Sequence, residues 1–174
     1  APSSASGGAR PGWRLYRDKV AGYLIQTPES WQFDRARLVK MGGLRMSIPF
    51  SRMMTVQGRK VHAATLHVLT WEAAGRDVDG LWQSVYSQQT RAHGSVRVAK
   101  VVRVKDVGGS GAPGIKAIYS YREPSGNTIQ LRSLCVVHHG VAFELRGWAS
   151  HLDPARSWKE IEGILATFRP KKFQ

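Results

Sequence analysis

Cysteine is almost missing from this chain. Cys135 stands alone, so no internal disulfide can staple the fold. That removes the disulfide argument for secretion without excluding export. Acids are scarce too: 12 Asp and Glu face 26 Lys and Arg, a formal net charge of +14. Such a field attracts anionic partners, whether nucleic acid, acidic lipid or acidic protein, and says nothing about fold. No apolar run approaches the ~20 residues of a membrane-spanning helix. There is no internal repeat. Hydrophobic residues make up 42% of the 174 and six are Trp, which excludes a disordered chain and supplies one domain with a core.

What is present reads as strands, a helix, four strands and a last helix. Residues 1–12 are Ser/Gly/Pro-rich, without a hydrophobic period or a charged-then-apolar leader. They read as a flexible tether of the kind that follows the lipidated Cys of an exported lipoprotein, although no such Cys is present. A tag or linker remnant would look similar. Trp13 to Asp18 and Tyr23 to Gln26 form a hairpin, Pro28 ends the pairing, and Trp31 plugs the core. The later elements are expected to assemble on that first strand. Arg35 to Met41 and Leu44 to Phe50 flank Gly42-Gly43 as a second hairpin. Ser51 to Lys60 reads as a basic loop carrying Met53 and Met54. Val61 to Glu72 is a long strand, covered by helix on one side and partly on the other.

Asp77 is placed as the N-cap of a helix reaching Ala92, with Val78, Leu81, Trp82, Val85, Tyr86 and Gln89 in one stripe. His93-Gly94 stops it. Strands at 95–107, 114–122, 127–138 and 141–149, joined by short turns, predict an antiparallel meander. In the last, Val141, Phe143, Leu145 and Gly147 alternate with Ala142, Glu144, Arg146 and Trp148, as one buried face requires. Asp153-Pro154 opens the final helix as N-cap and first-turn proline. Its apolar face is Trp158, Ile161, Ile164, Leu165 and Phe168, with Trp31 and Trp158 both expected to be largely buried. The order predicts an α+β layered sandwich: one domain over 13–169 and a basic tail over 170–174.

No catalytic, cofactor or metal-binding residue is expected. Gly109-Ser110-Gly111-Ala112-Pro113-Gly114 fits a Gly-x-Gly-x-x-Gly pattern, but a strand follows where a helix N-terminus is needed, so it reads as a hairpin loop. His62 and His67 sit at odd spacing on one strand and face opposite ways. His138-His139 are splayed at a turn. Cys135 shares a buried face with Ile129, Leu131 and Val137 and reads as inert core, with a Cys/His nucleophile as the alternative. Capping and the helix dipole explain Asp77, Asp79 and Asp153. No nucleophile, base and orienting group come together, so no enzymatic activity is expected.

The basic clusters are the informative feature. Between Asp34 and Glu72 there is no acid, only Arg35, Arg37, Lys40, Arg45, Arg52, Arg59 and Lys60. A second cluster is Arg91, Arg97, Lys100, Arg103 and Lys105, of which Arg97, Arg103 and Lys105 share one strand face. Most are expected to be exposed. No stacking aromatics interleave with them, which weighs against nucleic acid. Met53 and Met54, flanked by Arg52 and Arg59, point to a loop that touches a membrane surface or a partner.

Gly22-Tyr23-Leu24-Ile25-Gln26-Thr27-Pro28-Glu29-Ser30-Trp31 resembles the opening of the PsbP-like proteins. Val141 to Leu145 and the spacing of Trp158, Ile161, Ile164 and Phe168 resemble their ending. The group includes PsbP of photosystem II, the Ran-binding import factor Mog and DcrB-type lipoproteins. The resemblance spans about residues 13–169 and implies an α/β/α sandwich around a central antiparallel β-sheet, with two main helices at about 77–92 and 154–168. It implies an accessory or binding protein, exported, thylakoid-lumenal or lipid-anchored, with no cofactor. No catalytic residue carries over, because the shared positions are core positions. The +14 charge departs from a typical member. The function expected is docking through a basic surface on an acidic protein or membrane complex, an anionic lipid surface included, outside the cytoplasm. The alternative is a polyanion or nucleic-acid binder. The residues expected to meet the partner are Arg35, Arg37, Lys40, Arg45, Arg52, Met53, Met54, Arg59, Lys60, Arg97, Arg103 and Lys105.

Overall fold

Strands β1 (Trp13–Asp18) and β2 (Tyr23–Pro28) form the predicted hairpin in a computed structural model that describes residues 8–33, 39–40 and 46–172. Asp18 tightens the turn, accepting from the amides of Val20 and Ala21 at 2.9 and 2.8 Å. The hairpin does not seed the main sheet. It joins β11 (Arg169–Pro170) in a separate three-stranded sheet. Pro28 ends the pairing and the chain crosses to the main sheet as β3 (Trp31–Phe33). The domain also runs past 169: Pro170 is buried opposite Tyr23, and the Lys171 amide donates to the Gly22 carbonyl at 2.9 Å.

The main antiparallel sheet holds β4 (Val39–Lys40), β5 (Met46–Val56), β6 (Arg59–Glu72), β7 (Val96–Val104), β8 (Gly114–Arg122), β9 (Thr128–His138) and β10 (Val141–Ala149) beside β3. Its order is β3-β5-β6-β10-β9-β8-β7, with β4 also on β5. The predicted meander is β7 to β10. Residues 42–43 lie outside the described residues, but Val39 pairs with Ser47 antiparallel on either side of them. Ser51 to Lys60 is not a loop. Strand β5 continues to Val56 and turns at Gln57-Gly58, both at positive φ (49° and 75°), as a tight hairpin turn needs. The register shift between Arg52 and Met53 places the extra residue on β6, at Ala63, so β5 keeps its alternation and His62 and His67 share one face of β6 rather than opposite ones.

Helix α1 (Val78–His93) matches its reading. The Asp77 carboxylate accepts from the Gly80 amide at 2.8 Å, and Gly94 closes the far end at φ 79°. Asp77→Ala is expected to cost about 1 kcal/mol in urea denaturation, and no loss would show the cap to be idle. Helix α2 (Pro154–Thr167) also starts where predicted, but the Asp153 side chain makes no cap bond. It turns instead to Arg52, 3.5 Å away, so its carboxylate does not serve the helix as the N-cap acceptor.

Alternate residues of β9 and β10 feed two cores. Leu134, Val136, Phe143 and Leu145 meet α2 and the small sheet through Tyr23, Ile25, Ile161, Ile164 and Phe168. Leu131, Cys135 and Ala142 meet α1 through Leu81, Trp82 and Val85. The fold is thus α+β and mainly sheet. One face carries α1; the other carries α2 beside three short strands. Strand β10 therefore has two buried faces, not one, and Glu144 is fully buried. Its carboxylate is matched by Arg146 two residues along the same face, with Nε–Oε1 2.8 Å and Nη2–Oε2 2.9 Å. Gly147 lets α2 close on the sheet, since a Cβ there would lie 2.5 Å from Ile161 Cγ2.

Candidate interaction surface

The basic residues divide by where the strands point them. Arg52 lies on the face of β5 that also carries Ile48 and Phe50, directly across from Trp31. That face meets α2, where Asp153, Ser157 and Glu160 follow one another at helical spacing. Arg52 Nε reaches Glu160 Oε2 at 2.9 Å and its Nη2 reaches Ser157 Oγ at 2.7 Å. Trp31 Nε1 donates to the same Glu160 oxygen at 2.7 Å, and Arg156 binds the other at 2.7 Å. Arg52 is 3% exposed. It holds the frame and is not available to a partner, which corrects its reading as an exposed docking residue. A buried guanidinium is tolerated because every carboxylate beside it is a partner.

The other flank of α2 is tied in the same way. Glu162 accepts from Lys116 at 2.8 Å and from Arg132 at 3.1 Å, and Arg132 stacks 4.6 Å from the Trp158 ring. Trp158 is therefore half-buried under a guanidinium, whereas Trp31 is 2% exposed. Burial alone would raise the carboxyls of Glu160 and Glu162. Hydrogen bonds and the adjacent cations reverse this and hold both below the ordinary glutamate range. A carboxyl held low in the folded state stabilises above its unfolded value and stops doing so as pH falls through its folded value. Stability should thus fall as pH drops below about 4.3, the unperturbed glutamate value. Thermal melts across that range check it. The fall should shrink in Glu162→Gln, and an unchanged profile would contradict the assignment.

The remaining predicted residues sit as follows. Arg35, Arg37 and Arg45 lie outside the described residues. Lys40 is placed in β4, but its side chain is outside them too. Met53 and Met54 are half-buried in β5, opposite His62 and Val61, rather than carried on a loop. Arg59 and Lys60 are exposed beside the hairpin turn. Arg97 and Arg103 do not share a face. The β7–β8 register shifts between Val98 and Lys100, so Arg97 lies opposite Ser120 and Arg103 opposite Ile115. Arg103 consequently points to the α1 side and grips Asp79 with both amino groups, at 3.0 and 2.5 Å. Lys105 follows the strand and is exposed.

Eight of the acids are engaged by the chain's own amides or cations. Asp18, Asp77 and Asp106 accept from backbone amides. Asp79, Glu144, Asp153, Glu160 and Glu162 face arginine or lysine. Among the described residues, Arg59, Lys60, Arg97, Lys100 and Lys105 are exposed and form no ion pair.

The reactive candidates are elsewhere. Cys135 is fully buried and burial pushes its thiol up. His138 and His139 are not splayed: their rings meet edge-on at 4.1 Å, because His139 adopts a left-handed backbone (φ 48°) in the turn. Burial and His139 keep His138 below its ordinary value. The Gly109 to Gly114 segment connects β7 to β8, as expected of a hairpin loop. A groove of about 700 Å³ runs beside α1, lined by Leu69, Trp71, Arg76, Ser84, Arg91 and Arg146. No sequence window shows it, since β6, α1 and β10 each supply a wall.

No family model matches the chain, and no curated protein matches it in sequence. Among solved structures, the solution structure of cyanobacterial PsbP (CyanoP) from Synechocystis matches with a TM-score of 0.65 and 10% identity, over 98% of each chain. A Pseudomonas aeruginosa protein of unknown function matches with a TM-score of 0.52 and 12% identity, over 91% of this chain and 97% of its own. At such identities the likeness is one of fold. No helix among the described residues is long and apolar enough to cross a membrane.

Proposed function

We propose that this is a non-catalytic accessory protein that docks through exposed basic residues on an acidic protein complex at a membrane and helps stabilise or assemble it. The observation that carries the reading is that eight of the twelve acids are engaged by the chain itself, with Glu29 and Glu72 left exposed. With those carboxylates engaged in caps and ion pairs, Arg59, Lys60, Arg97, Lys100 and Lys105 face solvent unneutralised. The fold shared with cyanobacterial PsbP supports an accessory role. The burial of Cys135 under α1 disfavours a thiol nucleophile there. On β7 the cations alternate with valines rather than aromatics, which disfavours nucleic acid. An extracytoplasmic location, in periplasm, thylakoid lumen or on a membrane-anchored exterior, rests on the resemblance to PsbP-like proteins.

The test is retention on native membranes as salt is raised, beside a variant carrying Arg59→Ser, Lys60→Ser, Arg97→Ser and Lys100→Ser. Screening over ~8 Å at physiological salt should loosen the native protein, and the variant should release at lower salt. Equal retention of both at every salt concentration would overturn the reading.

A further inference from the structure

The two edges of the main sheet are unlike. One ends in strands of three and two residues, β3 and β4, the usual way to blunt an edge. The other ends in β7, nine residues without proline, paired among the described residues to β8 alone. Val98, Val101 and Val102 on it are 38%, 46% and 42% exposed, and among the described residues the other exposed large apolar side chains are Val20 and Leu152. We propose that β7 is a strand-addition site for an extended segment of the acidic partner, one that alternates acidic and apolar residues.

The register defines that alternation. Partners across the ladder share a face, so Val98 and Val101 lie with Tyr119 and Ala117 on the α1 side. Arg97 and Lys100 lie with Ser120 and Ile118 on the α2 side. The break at Ala99 sets this arrangement; without it Lys100 would join the valines. An added strand would therefore place acids against Arg97 and Lys100 and apolar side chains against Val98 and Val101. Its backbone would satisfy the free ladder of β7. The same charges argue against a second copy as the occupant. Two β7 strands brought edge to edge would crowd the exposed, unpaired Arg97 and Lys100 of one against the cations of the other. The cations thus block self-pairing while favouring an acidic strand.

This rests on the basic-docking reading and adds a backbone mode to it, so the experiment separates the two. The probe is a seven-residue capped peptide alternating Glu and Val, titrated onto the full chain while amide hydrogen exchange is followed across residues 96–104. The expected result is slowed exchange in β7, weakened by salt and about tenfold by Lys100→Glu with Arg97→Glu. A peptide with Lys for Glu should not bind, and one N-methylated along its backbone should bind more weakly. Binding without slowed exchange in β7, or unaffected by N-methylation, would overturn strand addition and leave basic docking standing. No binding of the Glu/Val peptide, with the protein still salt-sensitively retained on membranes, would overturn strand addition alone. Loss of salt-sensitive retention as well would overturn both. Concentration-dependent dimerisation that slows exchange in β7 without peptide would make a second copy the occupant.

Discussion

Arg52→Ala should destabilise the protein by about 3 kcal/mol, at the lower end of the range for breaking a buried ion pair. The removed guanidinium leaves Glu160 14% exposed, with only Arg156 and the Trp31 indole. It also strips Ser157 of a 2.7 Å bond in a site without solvent. Asp153 is 31% exposed and can rehydrate, which keeps the loss from the upper end. Arg59→Ala, seven positions on and exposed, should stay within about 0.5 kcal/mol. Urea denaturation of the two side by side decides the matter. A loss under 1 kcal/mol for Arg52→Ala, judged against the ~3 kcal/mol expected, would mean that the knot between β5 and α2 is not structural.

Trp31→Ala should cost about 3–5 kcal/mol, the range for truncating a buried aromatic. The ring is 2% exposed in the core between the small sheet and α2, and its N–H holds Glu160. Trp31→Phe separates the two contributions. It keeps most of the burial and loses the charged hydrogen bond, worth about 1.5–3 kcal/mol. Because Trp31 and Arg52 share one carboxylate oxygen, their losses should not add, with a coupling of about 0.5–3 kcal/mol. Additive losses would show that the two side chains act separately. Trp158→Ala should cost less than Trp31→Ala, since the ring is only half-buried beneath Arg132.

Much of the frame was legible where one physical signal dominated. Helical periodicity with a capping Asp located α1, and short Gly-rich turns located the meander from β7 to β10. Two of the failures have a common cause. Register shifts at Arg52/Met53 and Val98/Lys100 break the period of two, so face assignments beyond them invert. The first, at Ala63 of β6, puts His62 and His67 on one face where their odd spacing set them apart. The second put Arg97 and Arg103 on one face when the fold separates them. Arg52 misled for another reason: a run of cations without acids looks like a surface until its long-range partners are known. The signal was present in the spacing of Asp153, Ser157 and Glu160 on α2, but pairing them with β5 needs the fold. The exposed valines of β7 were equally hidden, since an edge strand and a central one read alike in sequence.

On the proposed reading, Arg52 holds the frame while Arg59, Lys60, Arg97 and Lys100 meet a partner. The direct measurement is a paired assay of stability and salt-dependent membrane retention on two proteins: Arg52→Ala, and the variant with Arg59, Lys60, Arg97 and Lys100 changed to Ser. The fourfold variant should keep its denaturation midpoint and lose retention, while Arg52→Ala should lose stability and, where still folded, keep its retention. A fourfold variant retained as tightly as the native protein, or a folded Arg52→Ala that no longer binds, would contradict that division.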